Sequence, residues 1–509
     1  MGLVAHAHTN PEAIAIIDED RVSTYGGLNC RVNKLAHSLC SLGIVQGDTI
    51  SILSYNSTEF FEVTQAARKI GVIMVPINYH LTSDEIRYIV DNSDSKVLFF
   101  GEQFIERIDQ IKSDLTKIIK DGFICIGSSC GKYLEYGEML ASSKESEPPE
   151  LTEVPGTMIY TSGTTGRPKG VYRPPGNMEE NRTMLASTLS ALGLFQKDIH
   201  LLTSPLYHTA PPFFAGINLM LGGTIVIMDR FDAEKMLALI ERHKCTTTHV
   251  VPTMFVRILR LPEEVRERYE VHSMRRVIHA AAPCPVDVKL KMIDFFGQDV
   301  VWEYYGGTES GVATIVGPDD YLKKKGTVGK AKDNVIVKIL DDHGNEMSVG
   351  EIGTIYFQLE GMKEFEYYKD PEKTRKTYKG KMFTLGDMGY LDGEGFLFLA
   401  DRKIDMIIRG GVNIYPAEVE SVMYNFPNVL DVCVFGLPDS ELGETVKAVV
   451  QLQPGTCATE EEILEFCKAS LAKYKVPESV DFVDELPRDP NGKLMKKKVK
   501  EKYLMRGAR

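Results

Sequence analysis

Residues Tyr160 to Gly170 read YTSGTTGRPKG. Three glycines, four Ser/Thr hydroxyls and one lysine within eleven residues describe a loop suited to wrapping a polyphosphate. Glycine at 163 and 166 opens backbone angles closed to other residues, so that successive N–H groups can turn toward anionic oxygens. Ser162, Thr164 and Thr165 add hydroxyl donors, and Lys169 adds a positive charge. The order differs from the P-loop of nucleotide triphosphatases, whose lysine falls as G-K-[ST] at a helix start. Here Lys169 follows Pro168 and precedes Gly170. A Gly/Ser/Thr surface linker shares this composition, but such a linker rarely leaves an apolar strand, here Thr157 to Tyr160, in so ordered a pattern.

Working outward, the chain alternates helix and strand. From Asp232, a plausible N-cap, the spacing predicts a helix over Ala233–His243 with Met236, Leu239 and Ile240 on one face. A strand (Thr247–Val251), a helix and a strand (Arg276–His279) follow. The same rhythm runs earlier, as a helix from Gly26 to Leu42, a strand from Thr49 to Ser54 and a helix from Ser57 to Ile70. Such alternation predicts parallel sheets covered by helices, with two α/β units stacked in the first 330 residues. After Gly326 the texture turns to short strands and turns: Asn334–Leu340, the turn Asp341-Asp342-His343-Gly344, then Gly353–Gln358. Past Arg402 a helix (Pro416–Tyr424), strands (Leu430–Phe435, Thr445–Leu452), a helix (Thr459–Leu471) and a strand (Val480–Val483) make a unit of domain size. The expected fold is α/β, with a large N-terminal domain (1–402) of two stacked α/β subdomains plus a β-rich subdomain. A small mobile α+β C-terminal domain (403–509) completes it.

A chain of 509 residues with 43% hydrophobic content can bury more than one core. Its longest apolar stretch, Ile217 to Met228, is broken by Asn218, Gly222 and Gly223 and is too short to span a bilayer. No secretory signal opens the sequence, and it does not end in the peroxisomal tripeptide. Nine scattered cysteines without a C-x-x-C pair point to reduced thiols, and a cytoplasmic location is expected. The net charge of −12 speaks against nucleic acid as a partner. Six lysines in the ten residues Lys493–Lys502 read as a solvated tail, with Lys493 set apart.

A second cluster, Tyr304-Tyr305-Gly306-Gly307-Thr308-Glu309, follows an expected strand at Asp299–Glu303. A tyrosine beside paired glycines can lay its ring on a flat adenine, and the Glu309 carboxylate can hold Mg²⁺ against phosphate oxygens. His279-Ala280-Ala281-Ala282-Pro283 leaves a strand end with little side-chain bulk, open to a planar ligand. Asp387 offers two acceptors to ribose hydroxyls, and Arg402 offers a donor fork to the same sugar. Lys493, in Pro487-Arg488-Asp489-Pro490-Asn491-Gly492-Lys493, sits on a Gly turn that its own small domain could deliver into a distant site.

Together these segments resemble the adenylate-forming superfamily: acyl-CoA and aryl-CoA ligases, peptide-synthetase adenylation domains and luciferases. The likeness runs from Thr24-Tyr25 to Gly492-Lys493. It implies that Thr161, Ser162, Gly163, Thr164, Thr165, Gly166 and Lys169 embrace the triphosphate of ATP. Ala282 and Pro283 would flank adenine, Tyr305 would stack on it, and Asp387 and Arg402 would hold the ribose. The resemblance gives Thr308 to a phosphate or acyl oxygen, Glu309 and Thr161 to Mg²⁺, and Lys493 to adenylation as the catalytic lysine. His208, in Pro205-Leu206-Tyr207-His208-Thr209, takes a gating or pocket role with Gly306 and Gly307. Gly410 and Gly411 would lie along the pantetheine arm of CoA once the small domain has turned. One position departs from the pattern: the pivot two residues after Arg402, usually aspartate or lysine, is Ile404, which puts the balance of the two orientations in doubt.

The implied activity is an ATP-dependent acyl-CoA ligase: carboxylate and MgATP give acyl-AMP and pyrophosphate, then CoA gives thioester and AMP. The apolar flanks Pro211-Pro212-Phe213-Phe214 and Leu219-Met220-Leu221 lean toward a fatty or other hydrophobic acid. An aryl or steroid-like acid, a luciferase-like oxygenation of the adenylate, and a non-catalytic acyl-adenylate or nucleotide sensor are the alternatives. The expected partners are small molecules, with the chain a monomer or homodimer.

Overall fold

The computed structural model describes residues 2–161, 167–194, 197–439, 441–488 and 494–507. Its largest sheet has fourteen strands among the described residues. One half is parallel, in the spatial order Ile14–Asp18, Thr224–Ile227, Ile199–Leu202, Thr247–Val250, Arg276–His279 and Val301–Gly307. From Val301–Gly307 the sheet continues antiparallel through Gly311–Val316, Thr327–Ala331, Leu397–Arg402, Met382–Leu391, Gly353–Leu359 and Val335–Leu340. The β-rich subdomain is therefore hydrogen-bonded to the α/β unit along one sheet.

A second parallel sheet has five strands, with Thr49–Leu53 between Ile73–Pro76 and Ser95–Gly101. The helices Tyr25–Ser41 and Thr58–Lys69 lie in the layer between the two sheets. Leu28, Leu35 and Phe60 from the helices, Ile52 and Phe99 from the smaller sheet, and Ile225 from the larger share one fully buried core. Both α/β units are present and stacked. Local chemistry explains several boundaries: Ser57 accepts the Phe60 N–H to start one helix, and Asp232 accepts the Lys235 N–H to start Ala233–His243.

The C-terminal unit has its own core around Ile407, Ile414, Val419, Val434, Ala448 and Ile463. Its sheet pairs Val429–Asp439 with Gly443–Leu452, which also takes Ser479–Phe482 in parallel. Thr459 and Glu462 cap the helix Glu460–Ser470 reciprocally. No helix among the described residues is long and apolar enough to cross a membrane.

Three expectations are corrected. The strand ending at Glu303 in the sequence reading runs on to Gly307, because Gly306 lets the backbone of Gly311 come close: a Cβ at 306 would lie 1.9 Å from the Gly311 carbonyl oxygen. The cysteines are not all reduced, since Cys125 is bonded to Cys130. The loop between them folds back over Glu102, whose carboxylate accepts the Ser128 and Ser129 N–H groups, and this brings the two Cα atoms to 5.6 Å. Finally, Lys496 is not a solvated tail residue, as described below.

Candidate active site

Chain order reverses at the strand Ile199–Leu202, whose neighbours Thr224–Ile227 and Thr247–Val250 come later in sequence on opposite sides. In open α/β sheets the crevice beyond the carboxyl ends of strands at such a point is where ligands bind. His208, Ala282, Thr308 and Glu309 all follow carboxyl ends of strands in this part of the sheet. Fold topology alone thus gathers segments separated by a hundred residues.

At one end of the site, Tyr305, Asp387 and Arg402 converge. Asp387 and Arg402 are direct cross-strand partners, which the sequence spacing could not show. The Tyr305 hydroxyl donates to Asp387 Oδ2 at 2.6 Å, and Arg402 Nε lies 3.3 Å from Asp387 Oδ1. Burial, reinforced by the Asp387 charge, lifts the Tyr305 hydroxyl well above the usual tyrosine range, so it stays protonated and donates. Just past the end of the neighbouring strand Arg276–His279, Ala281 takes a left-handed backbone conformation (φ 75°), with Ala282 half-buried and Pro283 exposed. A non-glycine residue held there signals an over-determined local structure of the kind common at ligand sites.

A cleft of about 650 Å³ extends from Arg402 to Lys169, with Tyr367, Asp370 and Lys373 on its walls. Lys169 stands directly across from Thr161 in the hairpin formed by Thr157–Thr161 and Lys169–Arg173. Its ammonium pairs with Asp370 Oδ2 at 3.0 Å. The Lys373 backbone N–H and then the Lys169 ammonium hold the Asp370 carboxyl below the usual range. Glu309 is fixed from two sides: its carboxylate accepts from the Tyr367 hydroxyl at 2.9 Å, and its backbone carbonyl accepts from Arg173 Nη2 at 2.6 Å. Thr308 shares a hydroxyl hydrogen bond of 2.7 Å with Thr209, the residue after His208.

The side bounded by His208 is aromatic, with Tyr207 and then Tyr79 in ring contact. Burial first, with His249 and His80 nearby, holds the His208 imidazole down to about 3. His249 is held to about 3 by burial and the neighbouring His200. The Phe214 ring stacks on His249 with centroids 5.1 Å apart, and Tyr304 lies 5.9 Å from Phe214. Each of these rings is neutral at physiological pH, so the pocket presents shape and hydrogen bonding rather than charge.

In the C-terminal unit, Gly410 and Gly411 form the positive-φ turn (56° and 80°) of an exposed hairpin, between Ile407–Arg409 and Val412–Ile414. They are not brought to the cleft in this arrangement. Ile404 is 67% exposed and lies at the cleft's rim beside Lys403. Lys496 lies 2.9 Å from Glu420. Burial alone would lower its pKa, but Glu420 and Asp401 outweigh burial and raise it. Ser162, Gly163, Thr164, Thr165, Gly166 and Lys493 lie outside the described residues.

Sequence reading missed Arg173, Thr209, Tyr367, Asp370 and Lys373, since nothing in their local pattern separates them from surface residues. A divalent cation fits the donor set. Glu309 offers a hard carboxylate held in place by Tyr367, and Thr161 ends a strand beside Lys169. Among the described residues no three His, Cys, Asp or Glu side chains converge. One carboxylate plus phosphate oxygens is how Mg²⁺, rather than zinc, is usually held.

The AMP-binding enzyme family matches residues 3–363, and the AMP-binding enzyme C-terminal domain matches 418–493. The long-chain-fatty-acid–CoA ligase FadD13 of Mycobacterium tuberculosis is 34% identical over 486 residues, covering 94% of this chain and 93% of that protein. The fatty acid–[acyl-carrier-protein] ligase ScoC of Streptomyces coeruleorubidus is 30% identical over 516 residues, covering 99% and 96%. Among solved structures, o-succinylbenzoate CoA synthetase (MenE) of Bacillus subtilis, in complex with the acyl-adenylate intermediate OSB-AMP, is similar with a TM-score of 0.83. Its sequence identity is 29%, with coverage of 98% and 97%.

Proposed function

The chain belongs to the AMP-binding enzyme family and is an AMP-forming acid–CoA ligase, and from that premise we propose that its acid is fatty or otherwise hydrophobic and is activated as acyl-AMP. The observation that carries the reading is one continuous cleft with Arg402, beside Asp387 and Tyr305, at one end and Lys169 at the other. Its length and polarity suit a nucleoside polyphosphate.

In this reading the Tyr305 ring covers adenine against Ala282 and Pro283, while Asp387 and Arg402 hold the ribose hydroxyls. Lys169, with Ser162 to Gly166, embraces the phosphates. Mg²⁺, held by Glu309 and Thr161, supplies charge neutralisation on the phosphate oxygens when bound. The Thr308–Thr209 hydroxyl pair stands between phosphate and acid sides and can donate to an oxygen of either. The acid's carboxylate oxygen attacks the α-phosphorus, pyrophosphate leaves, and Lys493 offsets repulsion between the two anions.

His208, neutral in its pocket, borders the acyl chain with Gly306 and Gly307 without pairing off the reacting carboxylate. Residues 403–509 then turn on residues 1–402. The turn brings Gly410 and Gly411 against the pantetheine arm, and the CoA thiolate attacks the acyl carbonyl with AMP leaving. ATP and CoA both being abundant there, the cytoplasm is the proposed location.

The Phe214–His249 stack and Tyr304 favour a second reading, a planar aryl acid. A panel of fatty, aryl and steroid-like acids, read by pyrophosphate and AMP release, separates the two. Turnover confined to aryl acids refutes the hydrophobic-chain assignment. Within the same assay, Lys493→Ala is expected to abolish adenylation yet spare thioester formation from supplied acyl-AMP. Equal loss of both halves rejects the role given to Lys493.

A further inference from the structure

The phosphate end of the cleft holds a second cation that the sequence did not single out. Lys373, on the helix Pro371–Thr377, lines the same space as Lys169. Its ammonium lies 5.0 Å from the centre of the Tyr367 ring, whose hydroxyl holds Glu309. Asp370 stands between the two lysines: Oδ2 pairs with the Lys169 ammonium at 3.0 Å, and Oδ1 accepts the Lys373 backbone N–H at 3.1 Å. Among the described residues no carboxylate comes within ion-pair distance of the Lys373 ammonium. Burial, then the Lys169 charge, holds its pKa below the usual lysine value.

The cleft lining sets Lys169, Lys373, Lys376, Arg402 and Lys403 against Asp370 and Glu372, with the Glu309 charge also acting on Lys373, and this leaves a positive surplus in a concave space. A polyanion relieves it, and a lysine serves phosphate as a mobile point charge. We propose that Lys373 is a phosphate-binding residue that, with Lys169, grips the β- and γ-phosphates of ATP and the departing pyrophosphate, Lys169 exchanging Asp370 for phosphate oxygens. This rests on the ATP-dependent reading above. Lys468, on the helix Glu460–Ser470 of the C-terminal unit, is 56% exposed, pairs with Glu465 at 2.6 Å and does not line the cleft, so it serves as the control.

Calorimetric titration of the full-length protein with ATP, inorganic tripolyphosphate and AMP tests the assignment. Lys373→Met is expected to weaken ATP and tripolyphosphate about 10-fold or more, the loss of one charge-assisted contact. AMP affinity, which also reports an intact fold, should stay within about twofold, Lys373→Arg should recover most of the loss, and Lys468→Met should match wild type. Unchanged tripolyphosphate affinity in Lys373→Met, or an equal loss for AMP, overturns the assignment alone. Wild-type protein that binds no ATP overturns both it and the ligase reading.

Discussion

The Asp387 carboxylate serves two partners before any ligand arrives, accepting from Tyr305 at 2.6 Å and facing Arg402 at 3.3 Å. It is a half-buried acceptor between the Tyr305 hydroxyl and the Arg402 donor fork, so its removal acts twice. Asp387→Ala strands the buried Tyr305 hydroxyl and loosens Arg402, and it deletes the acceptors assigned to the ribose. Affinity for AMP and ATP should fall about 10- to 100-fold, as expected for hydrogen bonds to a charged group. Tripolyphosphate, which lacks the nucleoside, should bind as before. Titration of the three ligands checks this, and an AMP affinity within twofold of wild type would place the sugar elsewhere.

The helix Val286–Phe296 and the strand Val301–Gly307 flank the segment proposed to contact adenine, and one buried ion pair joins them. Lys289, fully buried, donates to Glu303 at 2.6 Å, with the Tyr321 ring centre 3.5 Å from the ammonium. Burial pushes the Glu303 carboxyl up, with Lys289 opposing the shift. Removing one partner leaves the other charge uncompensated, so Lys289→Met should destabilise the protein by about 3–5 kcal/mol. Lys289→Met combined with Glu303→Gln should recover much of that, because no naked charge is left buried. Denaturant unfolding of both variants decides it; additive losses would mean that the pair is not coupled. This bond shows what a sequence can and cannot disclose. Ala233–His243 was legible because its period and its Asp232 cap are both local. Lys289, Lys373 and Lys496 were not, because a lysine on a helix reads as solvated until a distant segment supplies its partner. Gly306 misled for the opposite reason: a glycine pair reads as a turn, whereas here it lets two paired strands approach. Asp387 and Arg402 were singled out by their order in the sequence, yet their cross-strand register emerged only in the sheet.

At the scale of the molecule, the connection between the large and small units decides whether one site can run two reactions. On the large side, the Lys403 N–H donates to the Gly386 carbonyl at 3.0 Å and its ammonium pairs with Asp342. On the small side, Asp401 Oδ2 accepts the Ala417 N–H at the start of the helix Pro416–Met423 at 2.8 Å. Ile404 lies between these ties and is 67% exposed, burying little that rotation would have to give up. A partly exposed hydrogen bond and a surface ion pair are each worth about 1 kcal/mol, small against the binding of ATP or CoA. The Gly410–Gly411 turn is exposed in this arrangement, so the pantetheine-arm role proposed for it requires the small unit to turn. Ile404→Pro fixes φ at its own position and restricts Lys403 before it. If the pivot lies here, one half-reaction should stay within about threefold of wild type while the other falls about 100-fold, since a single orientation serves each. Pyrophosphate release from acid and ATP, set beside thioester formation from supplied acyl-AMP, measures the split. Equal rates in both halves would move the hinge away from residue 404.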